Sequence, residues 1–268
     1  MNAFFTIIAC GAYIASAVLL LKRLRQGVDI AEYNKTPALV SGLFGALLHG
    51  VLLHQSIYIP DGLNLSFFNM LSIMGWVIAL LLLITAWKKP VENLGIAALP
   101  FSALTLVAQE VFKVSHVNLT QVSAGMEAHI LLSILSYSLL SLAVVQALLL
   151  ALQDHHLRHR QPGGFIRALP PLETMESLLF QMIGLGYVLL TLSLLTGVTF
   201  IEDIFAQHLV HKTALSFLSW AVFAILLWGR WQFGWRGRIA IRWTLSGFVF
   251  LMLAYFGSKL VLELILSR

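Results

Sequence analysis

The chain has 268 residues, of which 59% are hydrophobic and 11% charged. A water-soluble domain of this length ordinarily carries about a quarter charged residues, so that class is excluded. The formal net charge of +5 is confined to short clusters between apolar runs, which argues against a nucleic-acid surface. The single cysteine, Cys10, excludes an internal disulfide and a Cys-x-x-Cys redox pair.

Apolar runs long enough to cross about 30 Å of hydrocarbon recur along the chain. The sequence predicts an all-α, polytopic membrane bundle of about eight transmembrane helices in one integral membrane domain. The spans are 3–21, 36–56, 66–87, 92–111, 126–152, 174–196, 214–234 and 240–263. The ten-residue apolar/polar alternation of a membrane β-barrel does not occur. "LKRLR" follows the first span directly, without a basic n-region before it or a small-residue cleavage site, so that span reads as an uncleaved anchor.

Lys22, Arg23, Arg25 and Lys35 fall in the first loop, and Lys88 and Lys89 in the third. Arg158, Arg160 and Arg167 fall in the fifth, and Arg230, Arg236, Arg238 and Arg242 in the seventh. Only Lys113, Lys212, Lys259 and Arg268 lie on the other side. By the positive-inside rule both termini are outside. In the connection 154–173, Pro and Gly break the helix, and Thr174 reads as the N-cap of span six, with Glu176 in its first turn. Apolar residues at 200, 201, 204, 205 and 209 suit a short amphipathic outer helix near 200–210. At the inner interface Trp235 anchors the seventh loop, and Arg236 and Arg238 meet anionic headgroups.

This orientation gathers His49, His54, His116, His129, His208 and His211 into the outer half or the outer loops. His155, His156 and His159 lie with Arg158 and Arg160 in a solvated cluster facing the headgroups. An imidazole in hydrocarbon needs partners for its ring nitrogens. His49 adjoins the small-residue face Gly42, Ala46 and Gly50, where a plain interhelical hydrogen bond competes with any ligand role. His129 and His211 head two separate spans, within reach of each other across a bundle. Haem iron takes two axial imidazoles across an apolar macrocycle. Zinc takes imidazoles and carboxylates, and His208-x-x-His211 with Glu127, His129 and Asp203 offers that alternative. Spacing alone does not choose between them.

Three stretches carry a family resemblance: 126–150, beginning Met-Glu-Ala-His; 172–200, with Gly184, Gly186, Leu190, Thr191 and Gly197; and 211–257, with Gly-Trp-Arg-Gly at 234–237 and Tyr-Phe-Gly at 255–257. A fainter match covers 47–76. Together they resemble cytochrome c assembly membrane proteins of the CcsA/CcmC type, nearest the small eight-span YpjD or HemX-like branch. The resemblance implies a bacterial inner-membrane protein that handles haem outside the cytoplasm. It places His129 at the family's first outer histidine and 198–213 where the family has a tryptophan-rich segment. That segment contains no tryptophan here, and no histidine follows His211.

The leading expectation is therefore a haem carrier and not an enzyme. Haem b is held by His129 and His211, with His49, His54, His208 and Glu127 as further candidates. Release occurs when a ligand from a haem-accepting membrane partner displaces one imidazole. The alternatives are a cofactor-free accessory subunit that binds another membrane protein, and a divalent-metal site on the same outer histidines.

Overall fold

The computed structural model describes residues 2–25, 34–59, 62–112, 118–119, 124–159, 166, 168–200 and 207–257. Among these residues, eight helices are long and apolar enough to cross a membrane. They are α1 (Asn2–Arg25), α2 (Thr36–Ile57), α3 (Phe67–Ala86), α4 (Gly95–Val111, entered by a 3-10 turn at Glu92–Leu94), α5 (Ala124–Arg158), α6 (Leu172–Phe200), α7 (Gln207–Phe233) and α8 (Gly237–Met252, continued by a π turn to Gly257). Each expected span falls on one of them over its described residues; positions 258–263 of the last span lie outside the described residues. Large apolar side chains stay exposed on their outer faces, among them Ile7 at 71%, Leu47 at 69% and Leu104 at 67%. Such faces need lipid, not water.

Three expectations are corrected. Helix α5 runs on to Arg158, so His155 and His156 stand on a helix; Arg158 Nε pairs with Asp154 at 2.9 Å, one turn back, and supports that last turn. Helix α6 begins at Leu172, immediately after Pro170-Pro171, so Thr174 lies inside its first turn and is not the N-cap. Proline suits a helix start and costs a backbone hydrogen bond further in, so the pair favours a boundary here. The separate helix near 200–210 is replaced at both ends: α6 continues to Phe200 and α7 begins at Gln207. Its remaining positions, 201–206, lie outside the described residues. Along this extension the Thr196 and Thr199 hydroxyls reach back to the Leu192 and Leu195 carbonyls. One small addition to the all-helical picture is an antiparallel set of short strands, β1 (Tyr58–Ile59), β2 (Gly62–Asn64) and β3 (Asn118–Leu119), in order β1-β2-β3.

The chain divides into two compact units, one of Met1–Gln121 with Gln153–Leu172, the other of Val122–Leu152 with Glu173–Arg268. In the first, α1 packs on α2 and α4, and α3 packs on α2 and α4, closing a four-helix bundle. Glycines set the close approaches. A Cβ on Gly42 would stand 2.7 Å from a Leu83 methyl, and one on Gly75 would run into the Thr105 hydroxyl. Hydroxyls then bond across helices: Ser16 Oγ donates to the Ala38 carbonyl at 2.7 Å, and Ser102 Oγ to the Gly75 carbonyl at 2.6 Å. Without water in the hydrocarbon, these backbone acceptors are the available partners. At one end of this bundle, Glu92 takes Arg23 at 2.9 Å and faces Lys35 at 3.7 Å. Ile166, Ala168 and Leu169 of the long connection pack on Leu24 there, and Gln153 Nε2 donates to the Pro170 carbonyl.

In the second unit, Phe223 of α7 fills the notch left by Gly247 of α8, and Ser219 Oγ donates to the Gly247 carbonyl at 2.8 Å. Tyr137 of α5 donates its hydroxyl to the Leu251 carbonyl at 2.8 Å, just where α8 widens into a π turn over Leu253–Gly257. A side chain that takes a helical carbonyl relaxes the regular ladder in this way. The α7–α8 hairpin turns on Gly234 (φ 65°) and Gly237 (φ 51°), a backbone region that glycine enters without Cβ strain. Glu176 of α6 caps α8 from outside, accepting the Gly237 N–H at 2.7 Å. Arg230 donates to the Trp235 carbonyl and lies 4.6 Å above the Phe180 ring. Arg236 and Arg238 are exposed beside this hairpin.

Candidate functional site

His129 lies in the second turn of α5, half-buried against the last turns of α6. Its Nδ1 is 2.8 Å from the Ser193 carbonyl oxygen. A carbonyl only accepts, so Nδ1 carries the proton and donates it. In the neutral ring Nε2 is then the bare nitrogen, with its lone pair free. Among the described residues Nε2 has no hydrogen-bond partner. Around the ring stands a small polar set. Thr196 Oγ1 is 3.5 Å from Nδ1, and its one proton is shared between the Ser193 carbonyl at 2.9 Å and the Leu192 carbonyl at 3.0 Å. Ser133 Oγ donates to the His129 carbonyl at 2.7 Å, so the 2.7 Å contact between the Ser133 and Ser193 hydroxyls has Ser193 as donor. An imidazole fixed through one nitrogen by a backbone carbonyl, with the other left open, is the usual form of a metal-ligating histidine.

The other candidates fall elsewhere. His49 is fully buried in the first unit, its Nδ1 3.2 Å from the Tyr13 hydroxyl and its Nε2 2.9 Å from the Ser72 hydroxyl. Both nitrogens are engaged, and ligation there would break one bond. His54 is exposed, tilted against Tyr58 at 4.8 Å, beside a surface groove of about 450 Å³ that also borders Gly50, Gln55 and Trp76. Glu127 is exposed in the first turn of α5, where a carboxylate suits the positive end of the helix. His208 and His211 begin α7, but their side chains lie outside the described residues, as does His116. Among the described residues no group of three His, Cys, Asp or Glu side chains could hold a metal ion.

Sequence reasoning singled out His129 and missed Ser193, Thr196 and Ser133. A usable signal was present: Gly186, Ser193 and Gly197 fall at helical spacing on one face of α6, a small-residue stripe onto which α5 closes. Ser136 Oγ donates to the Gly186 carbonyl at 3.0 Å along the same seam, and Leu140 fills the space beside Gly186.

A family model described as "Cytochrome C assembly protein" matches residues 37–266, which includes α2 to α8 and His129. The chain belongs to the cytochrome c assembly protein family. Relatives in this family include the inner membrane protein YpjD of Escherichia coli strain K12, 33% identical over 97% of this chain and 98% of its own length. Protein HemX of Brevibacillus brevis is 26% identical over 48% of each chain. Cytochrome c biogenesis protein CcsA of Trichormus variabilis is 31% identical over 33% of this chain and 26% of its own. No solved structure matches the chain. With eight apolar helices and an inner-membrane relative along its whole length, this family member is a multi-pass inner-membrane protein of a haem-related assembly family.

Proposed function

We propose that this protein is a haem carrier rather than an enzyme, and that His129 would hold the haem iron through Nε2 at the outer face of the inner membrane. The observation that carries the reading is the half-buried His129 ring, fixed by the Ser193 carbonyl with Nε2 bare. Haem iron accepts such a nitrogen, and apolar helices suit the macrocycle. His211, at the start of α7 in the same unit, is the proposed second ligand. Bound haem b would supply an exchangeable iron coordination position, and this chain's part is to hold it and yield one imidazole to a partner's ligand. The chain offers no thiol pair for attachment, since Cys10 is its single cysteine.

The deciding experiment is an absorption spectrum of protein purified in mild detergent from haem-replete cells, oxidised and then reduced. A low-spin haem spectrum that loses at least half its Soret intensity in His129→Ala or His211→Ala supports the reading. Protein that is colourless and takes up no added haem rejects it. The second reading, a cofactor-free accessory subunit that binds another membrane protein, is favoured by the tryptophan-free segment 198–213. It expects that colourless outcome together with capture of a membrane partner.

A further inference from the structure

Helices α5 and α6 meet beside His129 through two reciprocal notches. Gly197 of α6 faces the imidazole so closely that a Cβ there would stand 2.9 Å from Cε1 and 3.1 Å from Nδ1. One turn of α5 earlier, the Phe200 ring of α6 lies on Gly125, where any Cβ would run into the ring. Each helix thus gives up a side chain where the other places an aromatic ring. Between the notches, the Ser193 carbonyl receives both the His129 Nδ1–H and the Thr196 hydroxyl. Gly197 is buried, so the clearance it provides is not a lipid-facing accident.

We propose that the α6 turn Ser193–Gly197 is a positioning element: Gly197 admits the imidazole edge, the Ser193 carbonyl takes Nδ1–H, and Nε2 is thereby the coordinating nitrogen of His129. The proposal rests on reading His129 as a ligand, but its central claim concerns the protein alone. A carbonyl 64 residues away in sequence selects the tautomer before any ligand arrives. Such partners commonly change metal affinity about ten- to a hundredfold when disturbed. The functional group is the main-chain oxygen, so the Ser193 hydroxyl is dispensable for the tautomer. Gly197 acts by its lack of a side chain, so the smallest one suffices to displace the ring.

The test uses full-length protein with nitrogen-15-labelled imidazoles in detergent, without haem, and His129→Gln to identify the His129 signals by difference. Gly184→Ala is the matched control, because a Cβ there meets nothing within 4 Å. The expected result is an Nδ1–H tautomer for His129 in wild type, Gly184→Ala and Ser193→Ala. Gly197→Ala should lose that signature while keeping its helical circular dichroism. Haemin titration of the same samples should weaken about tenfold or more in Gly197→Ala alone. An Nε2–H tautomer in wild type, or a Gly197→Ala spectrum identical to wild type, overturns the positioning role whether or not haem binds. The expected tautomers with no haemin uptake by any sample support the positioning and reject the haem reading separately.

Discussion

Two histidines in apolar helices show how much depends on the partner. His49 sits between two hydroxyls, Tyr13 and Ser72, which can each donate or accept, so both its nitrogens are used and neither is left bare. His129 meets a carbonyl, which can only accept, and so keeps one open nitrogen. The first arrangement ties α1, α2 and α3 together; the second leaves coordinating capacity. His49→Ala should therefore act on stability. It leaves two buried hydroxyls unpaired and opens a cavity, a loss of about 2–4 kcal/mol. Thermal unfolding in detergent should show that loss, while haemin affinity of the protein that remains folded stays within about twofold of wild type. A large loss of haemin affinity at unchanged stability would assign His49 a ligand role instead. Both histidines were legible in the sequence as polar residues in spans, but their partners were not. A backbone carbonyl has no sequence signature, and hydroxyl-bearing residues are too frequent along these helices for spacing to select Ser72 or Ser193.

At the scale of elements, the spans were readable because apolar length alone identifies a membrane helix. Helix ends were less readable, because polar turns extend a helix past its apolar window, as α5 does to Arg158 through the Asp154–Arg158 pair. Two- and three-residue strands carry no usable period, so β1, β2 and β3 left no trace. Helix packing shows which glycines matter. Gly75 abuts Thr105 and the Ser102 backbone, whereas Gly11 faces open space. Gly75→Ala should force α3 from α4 and cost about 1–3 kcal/mol by overpacking. Gly11→Ala should leave stability unchanged or raise it by up to about 1 kcal/mol through helix propensity. Unfolding midpoints of the two variants, measured side by side, check this directly. Equal effects would mean that the α3–α4 seam yields to a methyl group and that glycine is not what sets it.

For the whole molecule, orientation determines which compartment meets His129. Within the first unit, Arg23, Lys35 and Glu92 gather at one bundle end, with Lys88 and Lys89 in the adjoining α3–α4 turn, while the strands β1, β2 and β3 lie at the other. Within the second, Arg230, Arg236 and Arg238 attend the α7–α8 hairpin, and His129 lies at the opposite ends of its helices. Basic residues are retained on the cytoplasmic side, so we propose that the hairpin end is cytoplasmic and the His129 end external. Single-cysteine labelling tests this within one unit. Cys10→Ser removes the native thiol, and Ala124→Cys or Gln232→Cys then marks an exposed position at either end. A membrane-impermeant maleimide applied to intact spheroplasts should label Ala124→Cys, and should label Gln232→Cys only after permeabilisation. The reverse pattern would turn His129 towards the cytoplasm and reject the proposed external carrier role, while leaving its tautomer and its packing against Gly197 untouched. The proposed location and the proposed coordination are thus separately testable, one resting on charge between the helices and the other on a single turn of α6.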